Sequence, residues 1–255
     1  MNYQERLNLF KQLVIDNKTM TEIVSIMSIT TKSVLNYEKT LGIKSIRAGR
    51  EPNLNKFYFE NIDNEYKAYI LGFIFADGYL ESNDRTLTFN INKKDIDILY
   101  KIKEQIECGN EIHKSSTKNC IKLYLSSKKL CDDLKRYSVK RNKTSSIEFP
   151  QLKNELYRHF IRGYFDGDGH IGKRQCALVI GSENMFNGFM EFITDKFNKT
   201  LYFQKVGNYY RVQLNRKDSD IVKWLYRNNN ICLDRKNKTF VENWDCYTEK
   251  IRSRG

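Results

Sequence analysis

Proline is nearly missing from this chain. Pro52 and Pro150 are the only two in 255 residues, so almost every segment is free to form helix or strand, and the two prolines mark natural stopping points. Histidine is as scarce, limited to His113, His159 and His170, and the six cysteines (Cys108, Cys120, Cys131, Cys176, Cys232, Cys246) include no C-x-x-C pair. That excludes the common zinc patterns and leaves reduced, mostly buried thiols as the expectation. The longest apolar run, around Ala68 to Ala76, is far short of the roughly 20 residues that span a bilayer, and no opening segment reads as a secretory leader. A soluble, intracellular protein is expected. Acids are also in deficit: 31 Asp and Glu face 44 Lys and Arg, a formal charge of +13. Such an excess fits a polyanionic partner, nucleic acid or an anionic membrane, although a generally basic, solvated surface would produce it too.

The first helical pattern, YQERLNLFKQLV, is followed by Thr19 and Glu22 at capping-box spacing. They open a second helix expected to turn Ile23, Ile26 and Met27 inward. After a break at Ser28 to Thr30, TKSVLNYEKTLGI reads as a third helix, with Val34, Leu35 and Tyr37 to Leu41 on its apolar side and Gly42 as its stop. Residues 1–45 are therefore a candidate helix-turn-helix domain whose Thr31, Lys32 and Ser33 would meet DNA base edges; an ordinary helical hairpin has the same pattern. Residues 46–56 read as a linker in which Arg47 and Arg50 could track phosphates.

From Lys56 onwards the chain repeats itself. AYILGFIFADGYL (Ala68–Leu80) has its match in RHFIRGYFDGDGHI (Arg158–Ile171), with Asp77 and Asp168 lying 91 residues apart. That interval is too long for a solenoid repeat and suits a small αββαββα domain. In TLTFNINKKD, Leu87, Phe89 and Ile91 alternate with Thr88, Asn90 and Asn92, the pattern of a half-buried strand. CIKLYLSSKK and YYRVQLNRKD alternate likewise, leaving Lys122, Tyr124 and Ser126 outside one copy and Arg211, Gln213 and Asn215 outside the other. Such sets match what a β-ribbon needs to read a major groove, and also what any solvated antiparallel face shows.

The two greasy segments end in carboxylates for a reason. Read as helices, they are apolar nearly all round and must be buried on more than one side. Gly72 and Gly163 occupy matching places inside them, and a mid-helix glycine, which costs ~1 kcal/mol relative to alanine, is best explained by close approach of another backbone. Two helices pressed together there would bring Asp77 and Asp168 side by side at the negative ends of both macrodipoles. Oxygen ligands in that setting favour Mg²⁺, with Mn²⁺ as a substitute, and the logic of metal-assisted phosphodiester hydrolysis. For either copy alone, A-D-G or G-D-G as an ordinary tight turn is the alternative.

The paired motifs ILGFIFADG (Ile70–Gly78) and IRGYFDGDG (Ile161–Gly169) resemble the signature of the LAGLIDADG homing endonucleases in their single-chain, two-motif form, over roughly Phe57 to Phe240. The resemblance implies an α+β fold in which two pseudo-twofold-related αββαββα halves, residues 57–149 and 150–255, form a saddle, preceded in the chain by the small all-α N-terminal domain. It implies a monomeric, Mg²⁺-dependent endonuclease of double-stranded DNA, with no membrane partner. Asp77 and Asp168 would be catalytic metal ligands, and the carbonyls of Ala76 and Gly167 further ligands. Family members often carry a basic residue near each metal; Lys143 and Lys238, matched here as N-K-T, are the candidates. Thr88, Asn90, Lys122, Tyr124, Arg211, Gln213 and Asn215 would contact DNA. The motifs depart from the pattern at Phe75, Arg162 and Asp166, which implies unequal halves and one strand cut faster than the other. A non-cleaving DNA-binding regulator, or an RNA-binding intron maturase, is the alternative on the same scaffold. The chain opens at Met1 with no Cys or Ser nucleophile, so an intein is not expected.

Overall fold

The computed structural model describes residues 1–16, 18–45, 53–141 and 146–245, and the chain divides into two compact units, Met1–Glu51 and Pro52–Gly255. In the first unit α1 (Tyr3–Ile15), α2 (Met20–Met27) and α3 (Thr31–Leu41) bury Leu7, Phe10, Leu13, Ile23, Val34 and Tyr37 against one another. Each helix begins at a side chain that accepts an otherwise orphaned backbone N–H: Asn2 from Glu5, Thr19 from Glu22 and Thr30 from Ser33. The first two are complete capping boxes. α2 stops where Ser28 turns left-handed at φ 51°, and α3 where Gly42 does so at φ 64°. Two side chains expected inside lie outside, Ile26 at 52% exposure and Leu35 at 48%. The buried stripe of so short a helix as α2 is narrow and runs through Ile23, and Leu35 sits about 100° round its helix from Val34.

The second unit is built twice. One half runs α4 (Glu65–Asp77), β1 (Gly78–Leu80), β2 (Thr86–Asn92), α5 (Ile96–Gln105), β3 (His113–Lys114), β4 (Cys120–Ser126) and α6 (Lys128–Arg136). The other runs α7 (Asn154–Asp168), β5 (Gly169–Ile171), β6 (Cys176–Ile180), α8 (Glu183–Phe197), β7 (Tyr202–Val206), β8 (Tyr209–Leu214) and α9 (Ser219–Tyr226). Both sheets are antiparallel, in the orders β1-β2-β4-β3 and β5-β6-β8-β7. Even the register repeats: Gly78 lies opposite Phe89 and Phe89 opposite Leu123, as Gly169 lies opposite Leu178 and Leu178 opposite Val212. Period-two alternation sends Leu87, Phe89, Leu123 and Leu125, and in the second half Tyr210, Val212 and Leu214, into one continuous core beneath the helices. A further helix, α10 (Asp234–Phe240), follows the second half.

The end of the expected linker belongs to this unit. Leu54 joins its core, Asn55 N–H donates to Ile106 O, and Asn53 O accepts from Gly109 N–H. Among the described residues no helix is long and apolar enough to cross a membrane.

Candidate metal and nucleic-acid site

α4 is buried from Ala68 through Phe75, which a helix can sustain only if it is packed on more than one side. Its second neighbour is α7, met backbone to backbone. A methyl group at Gly72 would lie 1.9 Å from Phe160 O, and one at Gly163 would lie 2.0 Å from Tyr69 O. Only glycine fits at either crossing. The two helices finish together: a methyl at Gly167 would lie 2.2 Å from Ala76 Cβ and 2.9 Å from Asp77 Oδ2. Asp77 and Asp168 are the last residues of α4 and α7, and each chain passes straight into a strand through a glycine whose N–H closes the final turn, Gly78 on Ile74 O and Gly169 on Phe165 O. Asp77 is half-buried and Asp168 exposed.

The donor set expected here, the Asp77 and Asp168 carboxylates with the carbonyls of Ala76 and Gly167, would consist of oxygens alone. That is the chemistry of a hard divalent cation. A cavity of about 260 Å³ beside Asp77 is lined also by Gly167, Asn90, Asn92, Lys94 and Arg235. Into this neighbourhood Asn90 brings a buried Oδ1 without a hydrogen-bond partner, an oxygen that a hydrated cation would satisfy. Among the described residues no cluster of three His, Cys, Asp or Glu side chains could hold a metal unaided. Any cation here would rely on backbone carbonyls and on water or phosphate. A larger cleft of about 560 Å³ lies elsewhere, rimmed by Glu148, Glu191 and Asp195, and includes neither motif aspartate.

The motif departures have structural causes. Asp166, 1% exposed, accepts from Tyr69 OH at 2.7 Å, Tyr226 OH at 2.5 Å and Leu233 N–H at 2.7 Å. Burial and the adjacent Asp166 carboxylate hold both phenols well above the ordinary tyrosine range. Arg162, with no exposed surface, donates to Ile231 O and Leu225 O at 3.0 Å and lies 5.5 Å from the Tyr69 ring centre. Both charged groups therefore tie the 225–233 segment to α7, which no apolar side chain could do through backbone carbonyls and an N–H.

That segment delivers α10, and α10 delivers Lys236. Its Nζ, 2% exposed as a residue, donates to Phe165 O at 2.8 Å, Asp166 O at 2.6 Å and Gly169 O at 2.5 Å. A cation is thus placed on the negative pole of α7 beside the motif. Burial pushes this ammonium down to about 8, with Asp166 opposing the shift. Sequence matching selects Lys238 for the basic position, but Lys238 is exposed: two residues along a helix is about 200° of rotation, so it points away from where Lys236 points. The R-K pair of LDRKNKTF was the overlooked signal. Lys143 lies outside the described residues. α10 also crosses to the first half, where Arg235 forks onto Asp95 at 2.5 and 3.0 Å and Lys101 donates to Asp234 Oδ1 at 2.5 Å and Cys232 O at 2.9 Å.

The expected nucleic-acid residues of the second unit lie on the outward sheet faces, except Asn215, which follows the end of β8, and Thr88. Lys122, Tyr124, Gln213 and Asn215 are partly exposed and Arg211 fully so, while Asn90 stands outward beside Lys122. Thr88 does not qualify: it has no exposed surface and its hydroxyl donates to Glu81 at 2.9 Å. Its neighbours across the strands, Tyr79 and Tyr124, are large enough to leave a threonine no surface of its own. In the first unit Thr31 and Lys32 are exposed and Ser33 partly so; Arg47 and Arg50 fall outside the described residues.

Residues 155–220, from α7 to the first residues of α9, match the family model described as a LAGLIDADG-like domain. The chain is similar to that family over these residues. Its fold is shared by the LAGLIDADG meganuclease I-AabMI bound to uncleaved DNA, 16% identical, covering 74% of this chain and 92% of that one at a TM-score of 0.51. It is shared too by I-DmoI in complex with DNA and Ca, 11% identical, covering 70% and 97% at a TM-score of 0.52. Curated relatives are more distant in kind. A replication factor C small subunit of Methanocaldococcus jannaschii is 26% identical over 129 residues, which are 48% of this chain and 7% of that protein. A probable translation initiation factor IF-2 of the same organism is 27% identical over 188 residues, 69% of this chain and 15% of that one. The chain thus spans only a small fraction of the length of either.

Proposed function

We propose that the second unit is a Mg²⁺-dependent endonuclease of double-stranded DNA, acting as a monomer because one chain supplies both halves of the site. One observation carries this reading: helices locked together at Gly72 and Gly163 end side by side in Asp77 and Asp168, with Asp77 Oδ2 against Gly167. Asp77, Asp168 and the carbonyls of Ala76 and Gly167 would hold the cation, Mg²⁺ or Mn²⁺ in its place. When bound, such an ion lowers the pKa of water and offsets charge on the attacking and leaving oxygens of a phosphodiester. Lys236 fixes the carbonyls around Asp168 and so its carboxylate's orientation. Asn90, Lys122, Tyr124, Arg211, Gln213 and Asn215 position the duplex, and Lys238, out on the surface, is left a phosphate contact. The first unit is a helix-turn-helix reader presenting Thr31, Lys32 and Ser33.

The test is incubation of the whole chain with a randomised duplex library and Mg²⁺. Recovered cut ends should share one long sequence, and Asp77→Asn or Asp168→Asn should each abolish cutting while leaving binding intact. Specific binding that never leads to cutting, in Mg²⁺ or Mn²⁺, would instead make the protein a DNA-binding regulator, and preference for folded intron RNA a maturase.

A further inference from the structure

The repeated register permits a position-by-position comparison of the two outward faces. Phe89 and Leu178 are equivalent, because each lies opposite the glycine that follows its motif aspartate. One residue further on, Asn90 therefore corresponds to Val179. Asn90 pairs with Lys122, which pairs with His113; Val179 pairs with Arg211, which pairs with Gln204. The two rows have the same layout, a small side chain, a cation, then a further polar group. They differ in chemistry at the first place. Asn90 offers a partly exposed amide whose Oδ1 is buried and has no partner among the described residues. Val179 offers two methyl groups, 38% exposed. Ala177, corresponding to Thr88, is buried like it, and its row neighbour is Gln213.

A side chain of methyls beside an arginine is poorly matched to a base edge of donors and acceptors. In the major groove one edge alone among the four bases is apolar, the C5-methyl of thymine, and the usual partner of arginine is guanine. Building on the endonuclease reading, we infer that Val179 makes the second half of the protein selective for a thymine methyl, at the place where the first half presents the polar Asn90. The two half-sites are then not inverted copies of one another at that position. Val179 is a specificity-determining residue, distinct from the groups that hold the cation.

The experiment uses the full chain and the preferred duplex recovered from the library, in Ca²⁺ so that binding is read apart from cutting. Each thymine is replaced singly by uracil, which deletes one methyl and nothing else. Loss of about 4-fold in affinity at one position is expected, the worth of one buried methyl-sized group. Val179→Asn should erase the distinction between thymine and uracil there, and Asn90→Val should create a new thymine preference at the symmetry-related position. Both sites lie on exposed or partly exposed strand faces, so circular dichroism should report folded variants. If every uracil replacement is neutral for the unsubstituted protein, or if Val179→Asn leaves the thymine preference unchanged, the inference is overturned while the endonuclease reading stands. If no duplex is preferred at all, both fall.

Discussion

A single added carbon tests the glycine seam. In Gly163→Ala the new methyl would start 2.0 Å from Tyr69 O, against the ~3.3 Å at which a carbon rests comfortably on a carbonyl oxygen. The obstacle is backbone, so neither partner can swing aside, and α4 and α7 must part by about 1 Å along a contact that includes Tyr69, Phe73, Phe160 and Tyr164. A gap of that size forfeits between a quarter and a half of each pairwise attraction, which over some tens of atom pairs comes to ~2–3 kcal/mol. Against this stands a gain of ~1 kcal/mol, since alanine is the better helix former. The balance is a loss of ~1–2 kcal/mol, or ~2–8 °C in Tm for a domain of this size, read by thermal unfolding. Gly72→Ala should cost a similar amount, and the double variant much less than the sum, because helices already parted for one methyl have room for the other. Single-turnover cleavage by Gly163→Ala should fall by about 100-fold, as expected for ~1 Å of displacement between Asp77 and Asp168. A Tm that rises after Gly163→Ala would refute the seam, since helix propensity would then be acting unopposed.

Three further outcomes follow from the buried polar groups. Asp166→Asn exchanges an acceptor of three hydrogen bonds for a group that must turn an N–H towards one of its donors, and should destabilise the protein by ~2–4 kcal/mol in denaturant titration. Lys236→Met strips the cation from three carbonyls and should lower stability at pH 7. The lysine's folded value is depressed to about 8 from 10.5, so the native state holds fewer protons than the unfolded one between those limits, and stability due to this group rises with pH across the window. The gap between parent and Lys236→Met should therefore widen from pH 8 to pH 10, and a constant gap would show the ammonium is not desolvated. For the Arg235 and Asp95 fork, a double-mutant cycle with alanines should give a coupling of ~1 kcal/mol that shrinks in salt.

Gly72, Gly163 and the two aspartates were legible in the sequence because each breaks a local rule, glycine inside a helix and acid at its negative end, and only a close neighbour explains both. Strand faces were legible because alternation records burial directly. Thr88 was misjudged for the reverse reason: alternation gives the side of a sheet, while exposure depends on the size of cross-strand neighbours such as Tyr124, which the register alone supplies. Arg162 and Asp166 read as blemishes in a motif, since the 225–233 backbone they satisfy lies some 60 residues downstream. Lys236 lost to Lys238 because an N-K-T match ignores which way a helix faces.

The α10 strut has a consequence for spacing. Two lobes joined along one pair of helices could rock about that seam, as a book does about its spine, and would then tolerate targets of different length. The fork from Arg235 to Asp95 and the Lys101 contacts with Asp234 and Cys232 pin a cover of the book to the facing page. The angle of opening is thereby set in the protein itself; on the endonuclease reading, the number of base pairs between the two reading surfaces would then be a fixed dimension, and adding one pair at the centre should be refused as firmly as a wrong base.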